Sequence, residues 1–146
     1  MKIGIPREIK PLEGRVGLVP EACGELTRAG HRVLLESGAG DASGYPDERF
    51  TRLGVEIEPD AKALYGAAEM ILKVKEPIGP ELNLLRRDHL LFSYLHLAAE
   101  TDLMRRLLGI GLTAVAFETV EEEGRRLPLL APMSDIAGRL SVQVGT

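Results

Sequence analysis

Several things are scarce in this sequence, and each scarcity excludes something. Of 146 residues only one is a cysteine, Cys23, so no disulfide can form within the chain. Cys23 lies in EACGELTRAG beside small and apolar residues with no histidine near it in sequence, which reads as a packing residue. The basic excess that a phosphate backbone requires is missing. Lys and Arg total 18 against 22 Asp and Glu, a formal charge of −4, so nucleic acid is not expected as a partner. No stretch approaches the roughly 18 uninterrupted apolar residues of a membrane span. The opening MKIGIPREIK carries no apolar signal core, and the expectation is a soluble cytoplasmic protein with no membrane partner. Side-chain amides are confined to Asn83 and Gln143, and Arg outnumbers Lys by 13 to 5, a composition that suits a thermophile. Neither an internal repeat nor a low-complexity tract is present.

What is present is enough apolar character, 45% of residues, for one domain with a hydrophobic core. Short apolar runs alternate with helical segments. Met1–Ile5 reads as a first strand, limited by Pro6. Pro20 opens a helix through EACGELTRA that Gly30 closes, and Arg32–Glu36 is the second strand. The loop SGAGDASGYP leads to a short helix DERFTRL, ended by Gly54, and then to the β-branched Val55–Ile57. Asp60 caps the helix AKALYGAA, after which Glu69–Lys75 and Leu90–Leu95 read as strands four and five, with a short helix between them. A helix over Thr101–Leu108 and a sixth strand of the buried kind over Leu112–Phe117 complete the pattern. Strands alternating with helices predict a doubly wound α/β domain, its sheet mainly parallel and covered by helices on both faces.

Ligands of such sheets bind outside the carboxyl ends of the strands. The residues expected there are polar, with cations dominating: Arg7, Glu8, Lys10 and Arg15 after strand one, Lys73 and Lys75 at the end of strand four, His96 after strand five, and Glu118 after strand six. Period-two geometry over Glu69–Lys75 places residues 71, 73 and 75 on one face, so Lys73 and Lys75 point the same way with Lys75 further out. Arg, Lys and His on one edge suit an anionic substrate whose carboxylate takes the cations while an imidazole exchanges protons beside it. A second reading stays open: lysines and arginines are usually solvated, and a strand-end histidine is often a hydrogen-bonded structural residue. His31 and His89 precede strands and belong to the opposite edge.

Other features receive no site role. Gly38, Gly40 and Gly44 follow a strand, but their spacing is G-x-G-x-x-x-G and Tyr45-Pro46 comes next, with no helix whose N-terminus could hold a pyrophosphate; a tight polar loop is expected. Glu121–Glu123 reads as a solvated turn, and Glu118 stands at a strand end without an assigned function. From Pro132 onward Ile136, Leu140 and Val144 recur every fourth residue, as on one face of a helix, and the chain stops at Gly145-Thr146; a cut through a longer protein is the expectation.

Six segments, MKIGIPREIKPLEGRVGLVP, GHRVLLESGAG, AEMILKVKEP, LLFSYLHLAA, AFETV and LPLLAPMSDIAGRLSVQVG, together resemble the N-terminal part of the alanine dehydrogenase/pyridine nucleotide transhydrogenase family. The resemblance spans essentially the whole chain and implies a Rossmann-like substrate domain over 1–130, then over 131–146 the start of a helix leading to an NAD-binding domain absent from this chain. It implies NAD as cofactor, L-alanine, pyruvate and ammonia as substrates and products, and a homo-oligomer, commonly a hexamer. By resemblance Arg15 and Lys75 bind the substrate carboxylate. His96 and Lys75 are the catalytic groups, with His96 hydrogen-bonding the pyruvate oxygen and serving as acid or base. Met133 approaches the substrate and Ser134 the cofactor. No metal ligands are implied, Lys73 is left as a solvated lysine, and the fragment alone is expected to be inactive. The transhydrogenase branch shares the opening PRE and the SGAG loop but lacks the Lys and His pairing at 75 and 96. It is one alternative, and a non-catalytic binding or assembly module is another.

Overall fold

The apolar runs become six parallel strands, β1 (Lys2–Ile5), β2 (Arg32–Glu36), β3 (Glu56–Glu58), β4 (Met70–Leu72), β5 (Leu90–Ser93) and β6 (Thr113–Ala116), in the spatial order β3-β2-β1-β4-β5-β6. Helices α1 (Pro20–Arg28), α2 (Asp47–Thr51), α3 (Ala61–Ala67), α4 (Thr101–Ile110) and α5 (Leu130–Val144) connect or follow them. This computed structural model describes the backbone of residues 1–144 and the side chains of residues 1–141. Val144 of the expected apolar stripe therefore has no described side chain, and residues 145 and 146 of the expected linking segment lie outside the described residues.

Local chemistry sets the helix ends. Pro20 starts α1 with its fixed backbone angle, and Gly30, at φ +87°, takes the left-handed turn after it. Asp60 caps α3 by accepting the Ala63 N–H at 2.8 Å. Register then sorts side chains between the two faces. Ile3 pairs with Val33 and Ile5 with Leu35, and on this face Ile5, Val33 and Leu35 pack with Cys23 of α1 and Phe50 of α2. On the other face Leu34, Ile71 and Leu91 meet Leu64 and Tyr65 of α3 and Leu103 and Leu107 of α4. Gly4 is required there, because a Cβ would come within 2.8 Å of the Ala68 methyl. Helices thus cover both faces of a parallel sheet, the doubly wound arrangement expected.

Three expectations need correction. Strand four was expected over Glu69–Lys75 but pairs only over Met70–Leu72, and strand five stops at Ser93, not Leu95. Past Leu72 the Lys73 N–H still bonds to the Phe92 carbonyl at 3.0 Å, and the Val74 N–H then turns to the Glu8 carboxylate. The sixth strand was expected to be buried, yet Thr113 and Ala114 are exposed. Among the described residues it is an edge strand, with β5 on one side and no strand on the other. α4 extends to Ile110, and α5 starts at Leu130 and leaves Ile136 and Leu140 exposed. No helix among the described residues is long and apolar enough to cross a membrane.

Candidate functional site

In the order β3-β2-β1-β4-β5-β6 the chain reverses its direction of travel between β1 and β4, which opens a crevice at their carboxyl ends. The loop after β1 carries Arg7, Glu8, Lys10, Glu13 and Arg15; the loop after β4 carries Lys73, Lys75 and Glu76. His96 follows β5 and Glu118 follows β6 on the same edge, since all strands are parallel. His31 and His89 fall at the opposite edge. His89 is buried, its Nδ1 accepting the Arg86 N–H and its Nε2 facing the Tyr65 carbonyl, each at 3.0 Å. Burial, reinforced by Arg86, holds its pKa below the ordinary imidazole value.

The two lysines after β4 part company. Lys73 is buried, its Nζ 2.6 Å from Glu81 Oε1 and 3.1 Å from Glu8 Oε2. The solvated reading of Lys73 and its common face with Lys75 are both incorrect, because the chain leaves the strand at Leu72. Glu8 also accepts the Val74 N–H at 2.7 Å, and Glu81 accepts that of Ile78 at 2.9 Å. Burial outweighs the attraction of Lys73 and pushes the Glu8 carboxyl above its usual range. The Tyr65 phenol, 3.3 Å from Glu81, is pushed up by burial and by that carboxylate. This cluster fastens the β1 loop to the start of the β4 loop and leaves Lys75 facing outward.

Lys75 enters a cavity of about 210 Å³ lined also by Lys10, Glu76, Tyr94, His96 and Glu100. Tyr94 organises it. Its ring stacks on the His96 imidazole, with centroids 5.9 Å apart and planes 17° from parallel, while Lys75 Nζ stands 5.0 Å from the centroid of the Tyr94 ring. The buried Ser93 hydroxyl donates to the Lys75 carbonyl at 2.7 Å, fixing that loop against the end of β5. Lys10 and Glu76 form an ion pair at the cavity wall.

Arg15 does not share this cavity. It lines an adjacent one of about 270 Å³ with Leu18, Leu72, Phe92, Phe117 and Met133, so the sequence-predicted residues fall into two neighbouring hollows. Arg15 binds Glu13 through two side-chain hydrogen bonds of 2.8 and 2.6 Å. Those bonds, aided by the Lys75 charge, draw the Glu13 carboxyl below its ordinary pKa. Met133, on α5, faces the Arg15 hollow; Ser134 beside it is exposed. Glu118 is buried and accepts the backbone N–H groups of Leu95 and His96.

A dinucleotide cradle requires free backbone N–H groups, and most of those in the glycine loop after β2 are taken. Gly38 N donates to Asp47, and the N–H groups of Ala39, Asp41, Ser43 and Gly44 bond within the loop. Gly40 serves packing, since a Cβ there would lie 2.3 Å from the Tyr45 carbonyl. That loop is therefore not a pyrophosphate cradle, and among the described residues there is no group of three or more His, Cys, Asp or Glu side chains able to hold a metal ion.

A family model described as "Alanine dehydrogenase/PNT, N-terminal domain" matches residues 4–137. The chain belongs to this family. Relatives of the alanine dehydrogenase/PNT group include the alanine dehydrogenases of Mycolicibacterium smegmatis and Bacillus subtilis, each 50% identical over 99% of this chain. A solved L-alanine dehydrogenase superimposes with a TM-score of 0.95 at 51% identity over 99% of the chain. A transhydrogenase from Sinorhizobium meliloti superimposes at 0.79, with 28% identity over 86% of the chain and 36% of its own. The chain spans only 39%, 38% and 40% of the length of the three alanine dehydrogenases.

Sequence reasoning missed Tyr94, Glu13 and the burial of Lys73. For Tyr94 a signal existed, since Tyr94 and His96 are spaced two apart at a strand end. Glu13 and the partners of Lys73 left no periodic trace.

Proposed function

We propose that this chain is the substrate-binding part of an NAD-dependent L-alanine dehydrogenase, which converts L-alanine reversibly to pyruvate and ammonia. The observation that carries this reading is the Lys75, Tyr94 and His96 arrangement at the crevice between β1 and β4 and its flank. Lys75 supplies a compact positive charge for a carboxylate or a developing oxyanion, and Arg15 from the adjacent hollow supplies a planar fork. His96 exchanges a proton with the carbonyl oxygen or its amine counterpart, as an imidazole can near neutral pH. Met133 walls the substrate on the Arg15 side, and Ser134 reaches toward the cofactor.

The glycine loop after β2 is not a pyrophosphate cradle, and in this reading the nicotinamide is held mainly by a separate NAD-binding domain. We place the substrate segment at 1–130 and the start of the linking helix at 131–146. A cytoplasmic homo-oligomer, a hexamer in the complete enzyme, belongs to the same reading. The transhydrogenase alternative is weaker, because it leaves Lys75 and His96 without a small anionic substrate to bind.

Titration of the isotope-labelled chain with pyruvate, observed by NMR, tests the proposal. Pyruvate should shift the His96 ring and Lys75 signals together, and Lys75→Ala should abolish the response. The chain mixed with L-alanine and NAD should form no NADH. Failure of pyruvate to perturb either residue would overturn the site assignment, and NADH formation would overturn the division of labour.

A further inference from the structure

Glu118 is a buried carboxylate for which the proposed chemistry provides no role, and its bonding points to one. Its Oε1 accepts the Leu95 N–H at 3.1 Å and the His96 N–H at 2.8 Å, and its Oε2 lies 3.3 Å from the same Leu95 nitrogen. Among the described residues no cationic side chain pairs with it. Successive backbone N–H groups converging on one anion form a small anion nest, and here the anion is supplied by the turn after β6.

The nest encloses an unfavourable backbone. His96 sits at φ +51°, a left-handed conformation in which a Cβ crowds the following carbonyl. The other described non-glycine residues of positive φ, Leu12 and Arg125, are exposed loop positions, and the Arg125 N–H bonds only to the Glu122 carbonyl three residues earlier. Such conformations persist where surrounding contacts over-determine them. At His96 they come from both sides: Glu118 holds the N–H, and the carbonyl accepts the N–H groups of Ala99 and Glu100 at 3.0 and 3.1 Å. The peptide is fixed while the imidazole remains exposed, stacked on Tyr94 in the cavity that Lys75 enters.

We propose that Glu118 is a positioning residue: its carboxylate holds the Leu95–His96 peptide in the left-handed turn that aims the His96 imidazole into the Lys75 cavity. This rests on the reading of His96 as the proton-exchanging group, and its test separates the two. The labelled chain and its Glu118→Ala and Glu118→Gln variants are compared by amide exchange and by pyruvate titration. In the alanine variant, amides of β1 and β2 should stay protected while the His96 and Leu95 amides exchange about 10- to 100-fold faster, the loss expected for hydrogen bonds to a charged acceptor. The pyruvate-induced shift of the His96 ring should weaken in parallel. Glutamine keeps an acceptor oxygen without the charge, so it should restore most of the protection and fall about fivefold short of the parent.

A folded Glu118→Ala chain with parental His96 exchange and pyruvate response overturns the proposal. Should that variant not fold, a Glu118→Gln chain indistinguishable from the parent in both readouts overturns it equally. If pyruvate leaves the parent's His96 ring unmoved, the substrate-site reading fails, and unchanged His96 exchange in the variants would then refute the clamp separately.

Discussion

Glu13 occupies the guanidinium of Arg15 from two residues away. Its Oε1 accepts from Arg15 Nε at 2.8 Å and from the Arg15 backbone N–H at 3.0 Å, and its Oε2 accepts from Nη2 at 2.6 Å. The fork assigned to the substrate carboxylate therefore already holds a carboxylate of the chain itself. Any anion that takes Arg15 must displace it or share it.

Glu13→Gln should therefore tighten pyruvate binding. Arg15 is more than half exposed, so the pair has the modest strength of a surface ion pair, about 0.2 to 1 kcal/mol. A gain of up to about fivefold in affinity follows, measurable by calorimetry. The depressed carboxyl of Glu13 stabilises the folded chain above its ordinary value of 4.5, and that contribution is lost as pH falls through the lower folded value. Weaker binding in Glu13→Gln would show that Glu13 assists the ligand.

In the complete enzyme His96→Ala should lower turnover by about 10²- to 10⁴-fold, the usual contribution of a general acid or base. Arg15→Ala should chiefly raise KM, while Lys75→Ala should impair both parameters. Steady-state kinetics distinguish the three patterns. Unchanged turnover in His96→Ala would remove it from the chemistry.

Lys73→Met should destabilise the fold by about 3 to 5 kcal/mol, because it leaves Glu8 and Glu81 buried without their shared cation. Adding Glu8→Gln and Glu81→Gln should recover part of the loss by removing the uncompensated charges. Urea unfolding of the single and triple variants supplies the comparison, and a Lys73→Met chain of parental stability would refute the buried-pair account.

Cys23 should be inert in the folded chain. It is fully buried, and burial pushes its thiol from 9.0 up to about 12. An unfolded chain loses this proton first as pH rises, so stability should fall above pH 9 by up to about 1.4 kcal/mol per pH unit until the folded thiol ionises. Cys23→Ala should flatten that part of the stability profile. Rapid thiol labelling at neutral pH without denaturant would contradict the assignment.

Most of the architecture was legible because it is written in local rules. Val33 and Leu35 face one core and Leu34 the other through strand periodicity, and Pro20, Gly30 and Asp60 mark helix ends through backbone geometry and hydrogen bonding within a few residues. Parallel strands then place Lys75, His96 and Glu118 on one edge. The fate of each charge on that edge was not legible, since it depends on partners far along the chain. Lys73 is buried between Glu81 and Glu8, the latter 65 residues earlier, whereas Lys75 stands over the Tyr94 ring. Arg15 lines its own hollow with Met133 and is paired with Glu13, and His96 holds its left-handed turn against a carboxylate 22 residues later. Period and capping are properties of the backbone over one or two turns, while desolvation, ion pairing and backbone strain depend on how the finished fold brings distant segments together.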